Sequence, residues 1–114
     1  MFEKHVNFSV SQYEDVWVVT LHEKRLDSSI APLFKAELLK IILSGVKKLL
    51  INLKKVDSID SSGLGTLTFS LRQLEEVNGQ VAVCCLKRKV LTLFQIAKLD
   101  RVIPVYKTEK EGLK

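Results

Sequence analysis

Residues 57–65 combine two aspartates, three serines and two glycines, and they stand between an apolar run and apolar residues at helical spacing. This order predicts a loop that enters the first turn of a helix. Asp60, Ser61 and Ser62 can each accept a hydrogen bond from the unpaired N–H groups of such a turn. One serine could cap the helix while the other points outward. The segment is therefore either a helix cap or a docking site at a helix N-terminus.

Gly63 and Gly65 are not required for capping. A glycine inside a helix is less favourable than an alanine by about 1 kcal/mol, so two of them in one turn need a reason. Close approach of a partner molecule is one explanation, because glycine exposes the backbone. Tight packing of the helix on the sheet is the other, and both remain open at the level of sequence.

Patterns that support catalysis are absent from the sequence. His5 and His22 are its two histidines, and neither lies at a recognisable spacing from a nucleophile. His22 ends a predicted strand and is expected on the surface. The sequence contains neither a Gly-x-Ser-x-Gly nucleophile elbow nor a P-loop. We therefore expect a protein that is not an enzyme and that has no cofactor and no metal site.

Cys84 and Cys85 are the two cysteines of the chain, and they are adjacent. A disulfide between neighbouring residues would be strained. On a strand their side chains would point to opposite faces, where they cannot bind one metal ion together. We interpret them as core thiols of a reduced, intracellular protein.

The elements that must position residues 57–65 follow an alternating order. Predicted strands cover residues 6–10, 16–21, 49–53, 81–86 and 102–106. Predicted helices cover residues 30–44, 64–77 and 90–97, and the first is opened by capping-type residues at 27–29. The order predicts an α/β fold with a mixed, mostly parallel sheet of about five strands and three to four helices. In such a sheet, the loop at residues 57–65 lies at the carboxyl edge, where ligands and partners usually dock.

Length and composition are those of one domain. The chain has 114 residues, 46% hydrophobic and 27% charged, which is enough for a core of its own. We expect this domain to cover residues 1–106 and a disposable, charged tail to follow at 107–114. No segment approaches the ~20 apolar residues of a membrane helix, and residues 1–10 do not resemble a signal peptide. These features predict a cytoplasmic protein that does not insert into a membrane.

The chain is basic, with 18 Lys and Arg against 13 Asp and Glu and a net charge of +5. The basic residues form short clusters at residues 24–25, 47–48, 54–55 and 87–89. None of these clusters is interleaved with aromatic residues, and no helix-turn-helix or RNA-binding signature is present. We therefore expect no direct binding of nucleic acid, and we interpret the clusters as a basic rim that complements an acidic partner.

The residues from Asp60 to Gly65, placed between a buried strand and an apolar helix, resemble the signature of the STAS family. The family is named after sulfate transporters and anti-sigma factor antagonists. The loop at residues 25–29 is similar to a second loop of that family, and the resemblance in element order and length covers nearly the whole chain. A short, free-standing domain of this kind resembles the bacterial anti-sigma factor antagonists, which implies the STAS fold.

The same resemblance implies a phosphorylation switch. In the family, a partner that is both anti-sigma factor and serine kinase phosphorylates the second serine after the aspartate, a position that Ser62 occupies. The unphosphorylated antagonist binds the anti-sigma factor and releases a sigma factor, and a serine phosphatase of the PPM type removes the phosphate. The partner-binding positions that the resemblance implies are Asp27, Ser28, Asp60, Ser61, Ser62, Gly63, Leu64 and Gly65.

Alternatives follow from the same resemblance. The domain could be a STAS scaffold or accessory subunit, stressosome-like or associated with lipid transport, without sigma-factor control. Family members have also been proposed to bind nucleoside triphosphates near this loop, although the chain has no P-loop. Ser61 and Ser62 carry equivalent hydroxyls, and the family register alone distinguishes them.

Overall fold

Strands and helices alternate along most of the chain in the computed structural model, which describes residues 5–114. The prediction that residues 1–10 are not a signal peptide concerns four residues that lie outside the described part. The strands are β1 (Phe8–Tyr13), β2 (Val16–Leu21), β3 (Arg25–Leu26), β4 (Lys48–Asn52), β5 (Ser58–Ile59), β6 (Gln80–Cys84) and β7 (Val105–Tyr106). The helices are α1 (Ala31–Leu43), α2 (Ser61–Glu75), α3 (Arg88–Ile96) and α4 (Glu109–Gly112).

The main sheet has five strands in the order β1-β2-β4-β6-β7. β1 pairs with β2 in the antiparallel direction, and all other neighbours are parallel. The predicted mixed, mostly parallel α/β fold is therefore confirmed. β3 and β5 form a separate parallel pair in which Arg25 is opposite Ser58 and Leu26 is opposite Ile59. This short ribbon was not predicted, because a strand of two residues is too short to show an alternation of apolar and polar side chains.

The main core lies between one face of the sheet and helices α1, α2 and α3. In α1 the buried residues Phe34, Leu38 and Ile42 recur every four positions, which places them on one side of the helix. The Thr66 hydroxyl of α2 donates to the Ala31 carbonyl of α1 over 3.3 Å and joins the two helices. Across residues 5–114, every helix is too short or too polar to span a lipid bilayer.

Several strand ends differ from the prediction, and for two of them the local reason is clear. β1 continues to Tyr13, and the turn is made by Glu14, whose φ of 56° is left-handed, and Asp15. The predicted strand at residues 102–106 is reduced to β7, because Leu99–Arg101 form a 3₁₀ turn. The Leu99 carbonyl accepts the N–H groups of the two residues that follow this turn, which keeps them out of the sheet.

The opposite face of the sheet carries a smaller apolar cluster of Val18, Leu50 and Cys84, and the C-terminal segment covers it. Leu113 packs against this cluster, and a Cβ at Gly112 would lie 2.8 Å from both Leu50 methyl groups. The buried side chain of Asn52 donates to Glu109 Oε1 over 2.9 Å. Residues 107–114 thus contribute apolar and hydrogen-bonding contacts to the folded domain.

The two cysteines do not lie on opposite faces of one strand, so that prediction is wrong. β6 ends at Cys84, and Cys85 has a left-handed φ of 66°, which turns its side chain back toward its neighbour. The two sulfur atoms are 3.2 Å apart. Cys84 is fully buried, as expected for a core thiol, whereas Cys85 is only partly buried.

We expect Leu113→Ser to lower the free energy of unfolding by about 1 kcal/mol, because it removes roughly half of one leucine side chain's burial from the cluster. Urea unfolding followed by circular dichroism measures this difference. Lys110→Ser, at an exposed position of α4 three residues before Leu113, is the matched control and should unfold like the unmodified chain. Equal stability of the two variants would show that the C-terminal segment contributes nothing to the fold.

Candidate functional site

The β3–β5 ribbon brings two distant loops together at the carboxyl edge of the sheet. The N–H of Asp57 donates to the Lys24 carbonyl over 2.7 Å, and the N–H of Asp60 donates to the Leu26 carbonyl over 3.3 Å. These bonds extend the ribbon on both sides. As a result the loop at residues 27–29 lies beside the first turn of α2.

Asp60 is the residue that fixes this arrangement. It is the N-cap of α2, and its Oδ1 accepts the N–H groups of Ser62 at 2.9 Å and Gly63 at 3.1 Å. Its Oδ2 accepts the N–H of Ser28 at 3.2 Å, so one carboxylate both caps the helix and holds the neighbouring loop. The cap is therefore the aspartate and not one of the two serines, which the sequence left open.

Because Asp60 caps the helix, the hydroxyls of Ser61 and Ser62 are not needed for that purpose. Ser61 is exposed at the first position of α2, and Ser62 is half-buried at the second. The Ser62 backbone is fully used, since its N–H binds Asp60 and its carbonyl accepts the Thr66 hydroxyl at 3.2 Å. Within residues 5–114 no protein group hydrogen-bonds the hydroxyl of Ser61 or that of Ser62.

The two glycines have different surroundings. Gly63 is buried, and a Cβ there would lie 2.6 Å from Ile59 Cγ1 and closer still to the Leu26 carbonyl oxygen. Gly63 is thus explained by tight packing of α2 on the β3–β5 ribbon. Gly65 is exposed, and a Cβ there would meet nothing within 4 Å. Packing within the described residues therefore does not explain Gly65.

The loop at residues 27–29 is ordered by Asp27. Its Oδ1 accepts the Ser29 hydroxyl at 2.6 Å and the Ser29 N–H at 3.0 Å, and these bonds hold the pKa of the Asp27 carboxyl below its usual range. The predicted capping of α1 by the side chains at 27–29 is wrong, because the N-cap is Ile30 and no side chain accepts a capping hydrogen bond from the first turn. The Asp27 carbonyl instead accepts the N–H groups of Ile30 and Ala31.

Basic side chains surround Asp57 at the same edge. Lys87, the N-cap of α3, forms a salt bridge with Asp57 and lowers the pKa of its carboxyl, and Lys24 and Lys89 act in the same direction. The sequence indicated the basic clusters but not that Lys24, Lys87 and Lys89 lie around one aspartate. That juxtaposition depends on the ribbon, which the sequence did not predict.

The structure brings together all eight positions that the family resemblance marked for partner binding. Seven of them are polar or glycine residues of the two loops and the first turn of α2, and Leu64 lies half-buried against the core. His22 is elsewhere, on the hairpin, where its Nε2 lies 2.8 Å from the Ser9 hydroxyl. No group of three or more metal-ligating side chains occurs in the part of the chain that the structure describes. The groups at this edge of the sheet are therefore hydrogen-bonding groups, charged side chains and serine hydroxyls.

Comparison with known proteins gives consistent matches. The model of the STAS domain matches residues 7–112. A protein of Thermotoga neapolitana, named as a homologue of an anti-sigma factor antagonist, is 35% identical over 101 residues that cover 88% of each chain. The crystal structure of a related anti-sigma factor antagonist from Thermotoga maritima superposes with a TM-score of 0.84 at 29% identity, covering 93% of this chain and 91% of that one.

A second structure shows the same fold at lower identity. The Bacillus protein SpoIIAA, solved in its phosphorylated form, superposes with a TM-score of 0.72 at 23% identity and covers 94% of this chain and 96% of its own.

Substitution of the two glycines by alanine should distinguish the buried, tightly packed Gly63 from the exposed Gly65. We expect Gly63→Ala to destabilise the fold by about 1–3 kcal/mol, because the added methyl group overlaps the β3–β5 ribbon. Gly65→Ala is the matched control, and it should stabilise α2 by up to about 1 kcal/mol because alanine favours the helix. Urea unfolding of both variants measures the difference. Equal effects would contradict the assignment of different roles to the two positions.

The pKa of Asp27 should depend on Ser29. A carboxyl whose pKa is lowered in the folded state adds stability above its unfolded pKa of about 3.9, and this stability is lost as the pH falls through the folded value. We expect Ser29→Ala to raise the pKa of Asp27 toward the ordinary value, since it removes the largest cause of the shift. A carboxyl-carbon NMR titration reports this pKa directly. An unchanged titration in the variant would show that the Ser29 hydroxyl does not stabilise the ionised carboxylate.

Proposed function

The chain belongs to the STAS domain family, and from this premise we propose that it is an anti-sigma factor antagonist whose partner binding is switched by a phosphate on Ser62. Relatives that match most of its length carry the name of anti-sigma factor antagonists, which is a regulatory and non-enzymatic role. The proposal concerns the finer steps, namely the residue that is modified, the partner that modifies it and the direction of the switch.

One observation carries the proposal: the hydroxyls of Ser61 and Ser62 are both left without a protein hydrogen bond within residues 5–114, and of the two the family register marks Ser62, whose backbone N–H and carbonyl are both engaged. A kinase can therefore phosphorylate the Ser62 hydroxyl without first breaking a hydrogen bond of the fold. The nearby Gly65 exposes bare backbone one helical turn further on, so a partner can approach α2 closely. The two features together support a docking surface that has an acceptor serine at its centre.

The fold should tolerate a phosphate at this position. Negative charge near a helix N-terminus is favourable by typically 0.3–1 kcal/mol, because it meets the positive end of the helix dipole. Asp60 keeps its capping bonds, since they involve backbone N–H groups and not the serine hydroxyl. A Bacillus protein of the same fold has been solved both with and without its phosphate, which agrees with such tolerance.

The phosphate acts instead on the interface. It adds about −1.5 to −2 charges at pH 7, beside the carboxylates of Asp27 and Asp60. The net charge would fall only from +5 to about +3, so a global electrostatic effect is too small to switch binding. A partner packed over Ser62 would have to remove water from a bulky dianion. A loss of about 2.7–4 kcal/mol of binding free energy corresponds to a 100- to 1,000-fold weaker affinity.

The partners in this proposal are three proteins. An anti-sigma factor with serine kinase activity binds the unphosphorylated domain and releases its sigma factor, and it later phosphorylates Ser62. A serine phosphatase of the PPM type restores the binding form. The basic residues around Asp57 lie at the same edge, where they would speed encounter with an acidic surface of the partner.

We expect Ser62→Asp to weaken binding to the cognate kinase by at least about 100-fold while leaving the circular dichroism spectrum unchanged. Ser61→Asp places the same charge one residue away and is the matched control, for which we expect less than a tenfold loss. Isothermal titration calorimetry with the anti-sigma factor encoded in the same genome measures both affinities. Equal losses in the two variants would show that charge at the helix end, rather than the Ser62 position, controls binding.

The site of modification is tested separately. The domain is incubated with each candidate serine-kinase anti-sigma factor and ATP, and phosphopeptide mass spectrometry locates the phosphate. Modification of Ser62 is the expected outcome. Modification of Ser61 would overturn the register, and no modification by any candidate would favour a STAS scaffold without sigma-factor control.

A further inference from the structure

We propose that Cys84 and Cys85 form a dithiol site that binds trivalent arsenic compounds, with the arsenic atom bridging the two sulfur atoms. The site lies at the end of β6, on the sheet face that α4 covers, and it is independent of the switch at Ser62. Its first support is the 3.2 Å distance between the two sulfurs. An extended residue 85 would have sent its side chain to the other face, but the left-handed φ of 66° brings it back.

The backbone around the two cysteines is held from both sides. The Cys84 carbonyl accepts the Leu53 N–H at 3.1 Å, and the Cys85 N–H donates to the Tyr106 carbonyl at 3.1 Å. These bonds tie the peptide between the cysteines to the loop after β4 and to β7. The peptide that carries both thiols is thus fixed by the sheet, and in the folded chain the two sulfur atoms already lie close together without a ligand.

The geometry fits a bridging atom better than a direct disulfide. Adjacent Cα atoms are about 3.8 Å apart, below the range of about 4.4–6.8 Å that disulfides prefer. A sulfur–sulfur bond of about 2.05 Å would therefore force the backbone to move. An atom inserted between the sulfurs needs no such closure, and the partly buried Cys85 gives it access.

The electrostatic environment selects the class of ligand. Burial is the main cause that raises the pKa of the Cys84 thiol far above its usual range, with the Cys85 thiol acting in the same direction. A divalent cation such as Zn²⁺ requires thiolates and further ligands, and no third metal-ligating side chain joins the pair in residues 5–114. Trivalent arsenic instead reacts with neutral thiols and leaves no charge in the apolar cluster.

The reaction balances without an oxidant. With phenylarsine oxide, two As–S bonds form, the As–O bonds break, and the oxygen leaves as water with the two thiol protons. Arsenic remains trivalent, and both sulfurs remain at the thiol oxidation level. The second As–S bond is formed within one molecule, so its effective concentration is high.

The test uses the full chain and one equivalent of phenylarsine oxide under native conditions, followed by intact-mass spectrometry. We expect one phenylarsenic group per chain, at a mass equal to the sum of the two reactants less one water. The adduct should survive excess glutathione and be removed by dithiothreitol, because only a dithiol can replace both bonds at once. No adduct, an adduct that appears only after unfolding in guanidinium, or an arsenic that joins two chains would overturn the proposal.

Variants show whether both sulfurs bind. Cys85→Ser, at the partly buried position, should keep its circular dichroism spectrum, weaken apparent affinity by about 100-fold or more and make the adduct sensitive to glutathione. Ser9→Ala, on a strand remote from β6, is the control and should bind like the unmodified chain. Retention of a glutathione-resistant adduct in Cys85→Ser would contradict the dithiol site, whatever the stability of Cys84→Ser.

Discussion

The Asp60 carboxylate is the interaction on which the candidate site depends. One oxygen accepts the two N–H groups that begin α2, and the other accepts the N–H of Ser28, which is 32 residues away in sequence. A single side chain therefore fixes both a helix end and the position of a second loop. Its two roles also explain why the site has free hydroxyls: a serine cap would have used its own oxygen, whereas an aspartate cap leaves the serines available.

The site rests on a support that is short but tightly packed. The β3–β5 ribbon has only two residues in each strand, yet α2 approaches it so closely that Gly63 has no room for a side chain. Around this support, charge is distributed unevenly. Asp27 and Asp60 lie beside Ser62, whereas Lys24, Lys87 and Lys89 surround Asp57 at the same edge. Acidic and basic surfaces therefore adjoin, so an approaching protein meets a defined electrostatic pattern and not a uniform field.

The sequence was sufficient for the fold class because the hydrophobic residues of its long elements recur at clear helical or strand periods, and the motif at residues 60–65 indicated the loop that forms the candidate site. It was not sufficient for features that depend on tertiary contact. The strands of the ribbon are too short to show a hydrophobic alternation. The first turn of α1 is capped by the backbone carbonyl of Asp27, a contact that the identity of the side chain does not predict. The left-handed Cys85 and the packing of Gly112 on Leu50 were missed for the same reason. The composition of residues 107–114 showed that the segment is charged, but it did not show which apolar side chains of the sheet the segment covers.

The close packing at Gly63 has a consequence for how the domain folds. The space that a side chain would need is filled by Leu26 and Ile59, which come from two separate loops. The first turn of α2 can reach its final position only after those loops have paired, and their pairing closes a chain segment of about thirty residues. Contacts of such sequence separation carry a loop-closure cost and slow the folding of a chain. The β2–β4 and β4–β6 pairs close segments of similar length, whereas the β1–β2 hairpin is local. We therefore expect the candidate site to be completed together with the central parallel strands and after the hairpin, so that a newly synthesised chain lacks it until its long-range pairing is in place.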